Sequence, residues 1–82
     1  MKKQEIIDLV KNSEGKNETF PLAQLAKLKE VATVYLEMNR ETDEYFYRVY
    51  IKELVNKDFD INIITENKWK VSEDEQNLVL TL

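Results

Sequence analysis

Between Val31 and Ile51 the chain alternates apolar and polar residues on both sides of a short polar break, and few folds accept that pattern. In the first run Ala32, Val34, Leu36 and Met38 are apolar, while Thr33 and Glu37 between them are polar. A strand buried on one face requires such alternation. Tyr35 is the exception. After Asn39 to Asp43, the second run puts Tyr45, Tyr47, Val49 and Ile51 on one parity and Glu44, Phe46, Arg48 and Tyr50 on the other. Two β-rich runs around a polar segment containing Asn and Asp read as a hairpin.

A helical reading competes and can be tested at about 100° per residue. One helix from Pro21 to Met38 would place Gln24, Lys27 and Lys29 inside the arc that Leu25, Leu28, Val31 and Val34 need for burial. From Asp43 to Asn56 a helix would gather Phe46, Tyr47, Tyr50 and Leu54, but would leave Tyr45, Val49 and Val55 among charges. The hairpin accommodates more of the pattern.

Residues 2 to 13 read as a helix because Ile6, Ile7, Leu9 and Val10 cluster among charged neighbours. Glu14 to Glu18 ends it, with Gly15 suited to a helix stop or a left-handed turn. A second helix is expected to start with Pro21 at its first position, bury Leu22, Leu25, Ala26 and Leu28, and end near Glu30. Lys52 to Asp58 reads as the last turns of a helix or as a connection carrying one short helical turn. Beyond it, Phe59, Ile61 and Ile63 alternate with Asp60, Asn62, Ile64 and Glu66 as a further strand, and Asn67-Lys68 fits a hairpin turn. Trp69 and Val71 then point inward, Ser72 to Gln76 makes an acidic turn, and Leu78, Leu80 and Leu82 complete one apolar face.

The predicted fold is therefore a single α+β domain, with two N-terminal helices packed on an antiparallel meander of about five strands. The alternative is winged-helix-like: three helices, the third over residues 43 to 56, followed by a C-terminal β-hairpin. Its would-be recognition helix is aromatic and mixed in charge, and its wing tip is acidic where phosphate contact requires Lys or Arg.

The chain has neither Cys nor His, which removes disulfides, thiolate metal sites, the thiol nucleophile and the commonest general base. A non-enzymatic protein without cofactor or metal is the expectation. One Gly leaves no glycine-rich phosphate loop. With sixteen acidic residues, any pair of carboxylates is uninformative. Glu41, Asp43 and Glu44, and Glu73 to Glu75, lack the alternating oxygens and Gly of a calcium loop and read as solvated turns.

Net charge is −4, with the surplus in the second half: residues 1 to 41 carry seven basic and seven acidic groups, residues 42 to 82 five and nine. That sign disfavours broad nucleic-acid affinity. No apolar run reaches about 18 residues, and Glu5 and Asp8 interrupt the N-terminal apolar stretch, so no membrane span or secretion signal is expected and the cytoplasm is the default location.

What remains is the outward face of the sheet. Tyr35, Phe46, Arg48 and Tyr50, with Lys70, make it more aromatic than a solvated face needs. Ile64, Lys68 and Val79 also fall on that parity. These residues point to a protein partner, and to a small regulator, inhibitor or adaptor. A homodimer through a sheet edge at Ala32 to Met38 or at Leu82, or through the outer face, is a second use of the same surfaces. Coverage of the face by Lys52 to Asp58 would remove its functional meaning.

Overall fold

The computed structural model describes residues 1–13 and 15–81. Helix α1, Lys3–Asn12, buries Ile6, Ile7 and Val10 at helical spacing, and Glu5 in its first turn and Lys11 in its last oppose the ends of the helix dipole. Leu9, expected with them, faces outward and is largely exposed. The helix ends where Ser13 turns extended, with its N–H and Oγ both donating to the Val10 carbonyl.

Gly15 serves closeness and not a left-handed turn, since no glycine has positive φ. A Cβ there would lie 2.1 Å from the Asn67 carbonyl oxygen. The next two amides, of Lys16 and Asn17, both donate to the Glu66 carbonyl at 2.9 Å, and Lys68 N–H returns a bond to Asn17. Asn67 is correspondingly buried and donates its side-chain amide to the Ile63 carbonyl at 2.7 Å, so Asn67-Lys68 is a strut between segments instead of a hairpin turn.

Pro21 precedes a 3-10 turn, Leu22–Gln24, that leads into α2, Leu25–Val31. Leu28 and Val31 are buried and Leu25 packs at the core margin, but Leu22, in the 3-10 turn, and Ala26, on the opposite face of α2, are exposed where the sequence placed them in the stripe. Strands β1, Ala32–Asn39, and β2, Glu44–Ile51, form the expected hairpin, with Ala32 opposite Ile51 through Asn39 opposite Glu44. At the turn, the Asn39 side chain accepts from Glu41 N–H, and Asp43 takes φ 56°.

The segment expected as the next strand is instead a turn and the short helix α3, Asn62–Thr65. Asp60, in the turn just before it, accepts from Asn62 N–H at 3.1 Å, and the consecutive Ile63 and Ile64 are both buried, which a strand exposing alternate residues cannot achieve. Ile64, expected outward, thus belongs to the core. Strand β3, Lys70–Val71, and β4, Leu78–Thr81, close a four-stranded antiparallel sheet among the described residues. Its order is β1-β2-β4-β3, so β4 inserts beside β2 and the strands do not pair in sequence as a meander would. The expected positions of Glu14 in the helix stop and of Leu82 on the inner face and edge lie outside the described residues.

The core lies between the sheet and the helices: Ile6, Val10, Leu28, Val49, Ile64, Leu78 and Leu80 are buried in one cluster, and Phe20 meets Trp69 at 5.9 Å. The connection after β2 turns to this side. Lys3 N–H donates to Glu53, Val55 N–H donates to Met1, and the Met1 ammonium donates to the Val55 carbonyl at 2.6 Å. Three residues expected inward are open to solvent: Leu36 at 59% exposure, Met38 at 45% and Tyr45 at 52%. Their parity is as expected; the cause is reach. Among the described residues β4 opposes β2 from Phe46 to Val49, so the hairpin extends beyond that pairing and beyond the buried cluster.

Candidate functional site

The outer sheet face is built from cross-strand rows. Tyr35, Arg48, Val79 and Lys70 stand opposite one another in turn across all four strands. Glu37, Phe46 and Thr81 form the neighbouring row, and Thr33 with Tyr50 the row on the other side. All five residues singled out in the sequence, Tyr35, Phe46, Arg48, Tyr50 and Lys70, therefore come together on one face. Lys68 does not join them as a free cation, because it pairs with Glu18 at 3.4 Å.

Arg48 is the hub. Its Nε donates to Glu37 Oε2 at 3.0 Å, its Nη1 donates to the buried Asn77 Oδ1 at 3.0 Å, and its guanidinium lies 5.4 Å from the centre of the Phe46 ring. One side chain thus ties β1, β2 and the residue preceding β4. Planar multidentate donation of this kind is specific to Arg, and Lys would satisfy fewer of these partners. Tyr35 and Tyr50 meet edge to face, with centroids 5.8 Å apart at 86°. Such pairs are worth about 0.5 to 1.5 kcal/mol beyond their burial, and here the pair also holds two half-exposed rings in place.

Two shallow depressions flank Arg48: one lined by Thr33, Tyr35, Glu37 and Tyr50, the other including Phe46, Lys70 and Thr81. Both are open, so the face is a relief surface and not a pocket that would bury most of a small ligand. Lys52 to Asp58, the expected cover, pairs with the N-terminus instead.

Glu37 and Asn77 were not singled out as Arg48 partners. Glu37 could be placed beside the face by parity, whereas Asn77 carries no sequence signal, because its position depends on β4 docking against β2. The acidic turn Ser72 to Gln76 is self-satisfied: Asp74 accepts from the Ser72 hydroxyl and from Gln76 N–H, and Glu75 takes φ 55°. Those donors hold the Asp74 carboxyl below its ordinary value, with Arg48 adding a smaller pull in the same direction. Among the described residues, no three His, Cys, Asp or Glu side chains converge as a metal site, and no helix is long and apolar enough to cross a membrane. No family model, curated protein or solved structure matches the chain.

Proposed function

We propose that this protein works by binding another protein through the outer sheet face, as a regulator, inhibitor or adaptor in the cytoplasm and without catalysis. The observation that carries this reading is the order of the exposed groups. Tyr35 and Tyr50 are braced against each other, and Arg48 is held by Glu37, Asn77 and Phe46 before any partner arrives. Groups ordered in advance lose little rotamer freedom on binding, and Tyr and Arg are the types that dominate interface energy. The open relief of the face suits a protein surface better than a small molecule.

Nucleic acid is the weaker partner. Residues 44 to 51 are strand where a winged helix would need its recognition helix, and Arg48 and Lys68 are already paired to carboxylates. The test is capture from a lysate of the source cell, with and without nuclease, using wild type, Phe46→Asp and Tyr50→Asp as baits. Urea midpoints near that of wild type establish that the variants are folded. A discrete protein that survives nuclease and is lost with both variants supports the reading. Unchanged capture of that protein by both variants refutes it, and recovery that vanishes with nuclease and weakens steeply with salt transfers the function to nucleic acid.

A further inference from the structure

We propose that the free edge of β1 pairs with β1 of a second copy, antiparallel about a two-fold axis at Leu36, joining two sheets into one continuous sheet.

The backbone sets the phase. Lys52 N–H donates to the Val31 carbonyl at 2.9 Å, one step before the Ala32 to Ile51 pair. Hydrogen-bonded and non-bonded pairs alternate along an antiparallel ladder, so Thr33, Tyr35, Glu37 and Asn39 bond to β2. The N–H and C=O groups of Val34, Leu36 and Met38 therefore face the open side, where the sheet order of the described residues places no strand, while Ala32, on the same parity, is buried. Natural edges are blunted by Lys, Pro, a bulge or a covering element. β1 has no Lys or Pro, and its pairing with β2 runs unbroken for all eight residues.

The side chains select a second copy as the strand that fits. An isologous contact must complement itself. With the axis at Leu36, Leu36 meets Leu36 of the second copy and the half-buried Val34 meets Met38, so the exposed Leu36 and Met38 of the inner face are covered by apolar neighbours. On the outer face Tyr35 meets Glu37 and Thr33 meets Asn39. An axis one residue further along would set Glu37 against Glu37. In the chosen register no like charges oppose, and Glu37 is already neutralised by Arg48 at 3.0 Å. The dimer is made by the edge backbone with Val34, Leu36 and Met38 and shares only Tyr35 with the proposed partner site, so it does not depend on the outer face binding a partner.

The test uses the full chain and its lack of Cys. Sedimentation equilibrium should give a monomer–dimer equilibrium that Leu36→Lys weakens by about tenfold or more, an edge charge being a standard block to strand pairing. Phe46→Asp should leave it unchanged. In the proposed register Leu36→Cys brings two thiols together across a pair about 5.5 Å apart at Cα, within disulfide range. Val34→Cys places its thiols about 14 Å apart along the strands. Oxidation should therefore cross-link Leu36→Cys and not Val34→Cys. A monomer at every concentration overturns the proposal, as does a dimer that Phe46→Asp abolishes and Leu36→Lys spares. Cross-linking through Val34→Cys in preference to Leu36→Cys overturns the register.

Discussion

The two ends of the β1–β2 hairpin have the same pairing, the same alternation and opposite fates. At the end near the chain connections, Ala32, Val49 and Ile51 are at most 4% exposed, in one cluster with Leu28 of α2 and Leu78 of β4. Toward the turn, Leu36, Met38 and Tyr45 on the same face are about half exposed or more. Backbone hydrogen bonding continues to Asn39 and Glu44, so the strands are equally formed at both ends. Alternation decides which face a residue occupies. How far that face is covered depends on the reach of the elements beside and upon it, and among the described residues β4 spans Leu78 to Thr81.

The widest contrast between the ends lies in truncation. Leu78 opposes Val49 and is 0% exposed, so Leu78→Ala should cost about 2 to 5 kcal/mol in urea unfolding. Leu36→Ala, measured at a dilution where the chain is monomeric, should stay within about 0.5 kcal/mol of wild type, being on the surface. Similar losses at the two sites would abolish the distinction.

Gly15 probes how the segments outside the hairpin are held together. The atoms a Cβ would meet are backbone, at 2.1 to 2.9 Å, and cannot rotate away. Gly15→Ala should cost about 1 to 3 kcal/mol by the same measurement, as overpacking does. A neutral result would mean that the α1 exit and the Asn67 strut are not in close contact.

Across the middle of the hairpin the tie is electrostatic. A double-mutant cycle with Glu37→Gln and Arg48→Met should return a coupling of about 0.2 to 1 kcal/mol that shrinks with salt, because both side chains remain partly solvated. A coupling above that range would indicate that the outer face is drier than its exposure implies.

The smallest effect is at the β3–β4 turn. Asp74 should titrate below an ordinary Asp, and Ser72→Ala should raise its midpoint toward normal, as followed by carboxyl carbon shifts. Since the folded pKa is the lower one, the stabilisation is complete above the unfolded value and is lost as pH falls through the folded one. An unshifted Asp74 would mean that the turn is open in solution.

The hairpin was legible because its signal is local: two alternating runs and a polar break containing Asn39 and Asp43. The outer-face residues Tyr35, Phe46, Arg48 and Tyr50 followed from parity alone. Helix α3 was misread because Phe59, Ile61 and Ile63 alternate like a strand, and the discriminating signal was the doublet Ile63-Ile64 after the turn-forming Asp60. The strand order, the Asn77 anchor for Arg48, the closeness at Gly15 and the open hairpin end all depend on segments far apart in sequence. No local pattern encodes them.

Residue-resolved amide exchange along β1 in dilute solution tests the central claim most directly, that the hairpin is formed to its turn while its edge and inner face stay open. Tyr35 and Glu37 should be protected by their bonds to β2, while Leu36 and Met38 exchange fast, with no nuclear Overhauser contacts from their side chains to α1 or α2. Fast exchange at all four amides would mean that the hairpin end is frayed. Contacts from Leu36 or Met38 to the helices would mean that it is covered, and either result would contradict the claim.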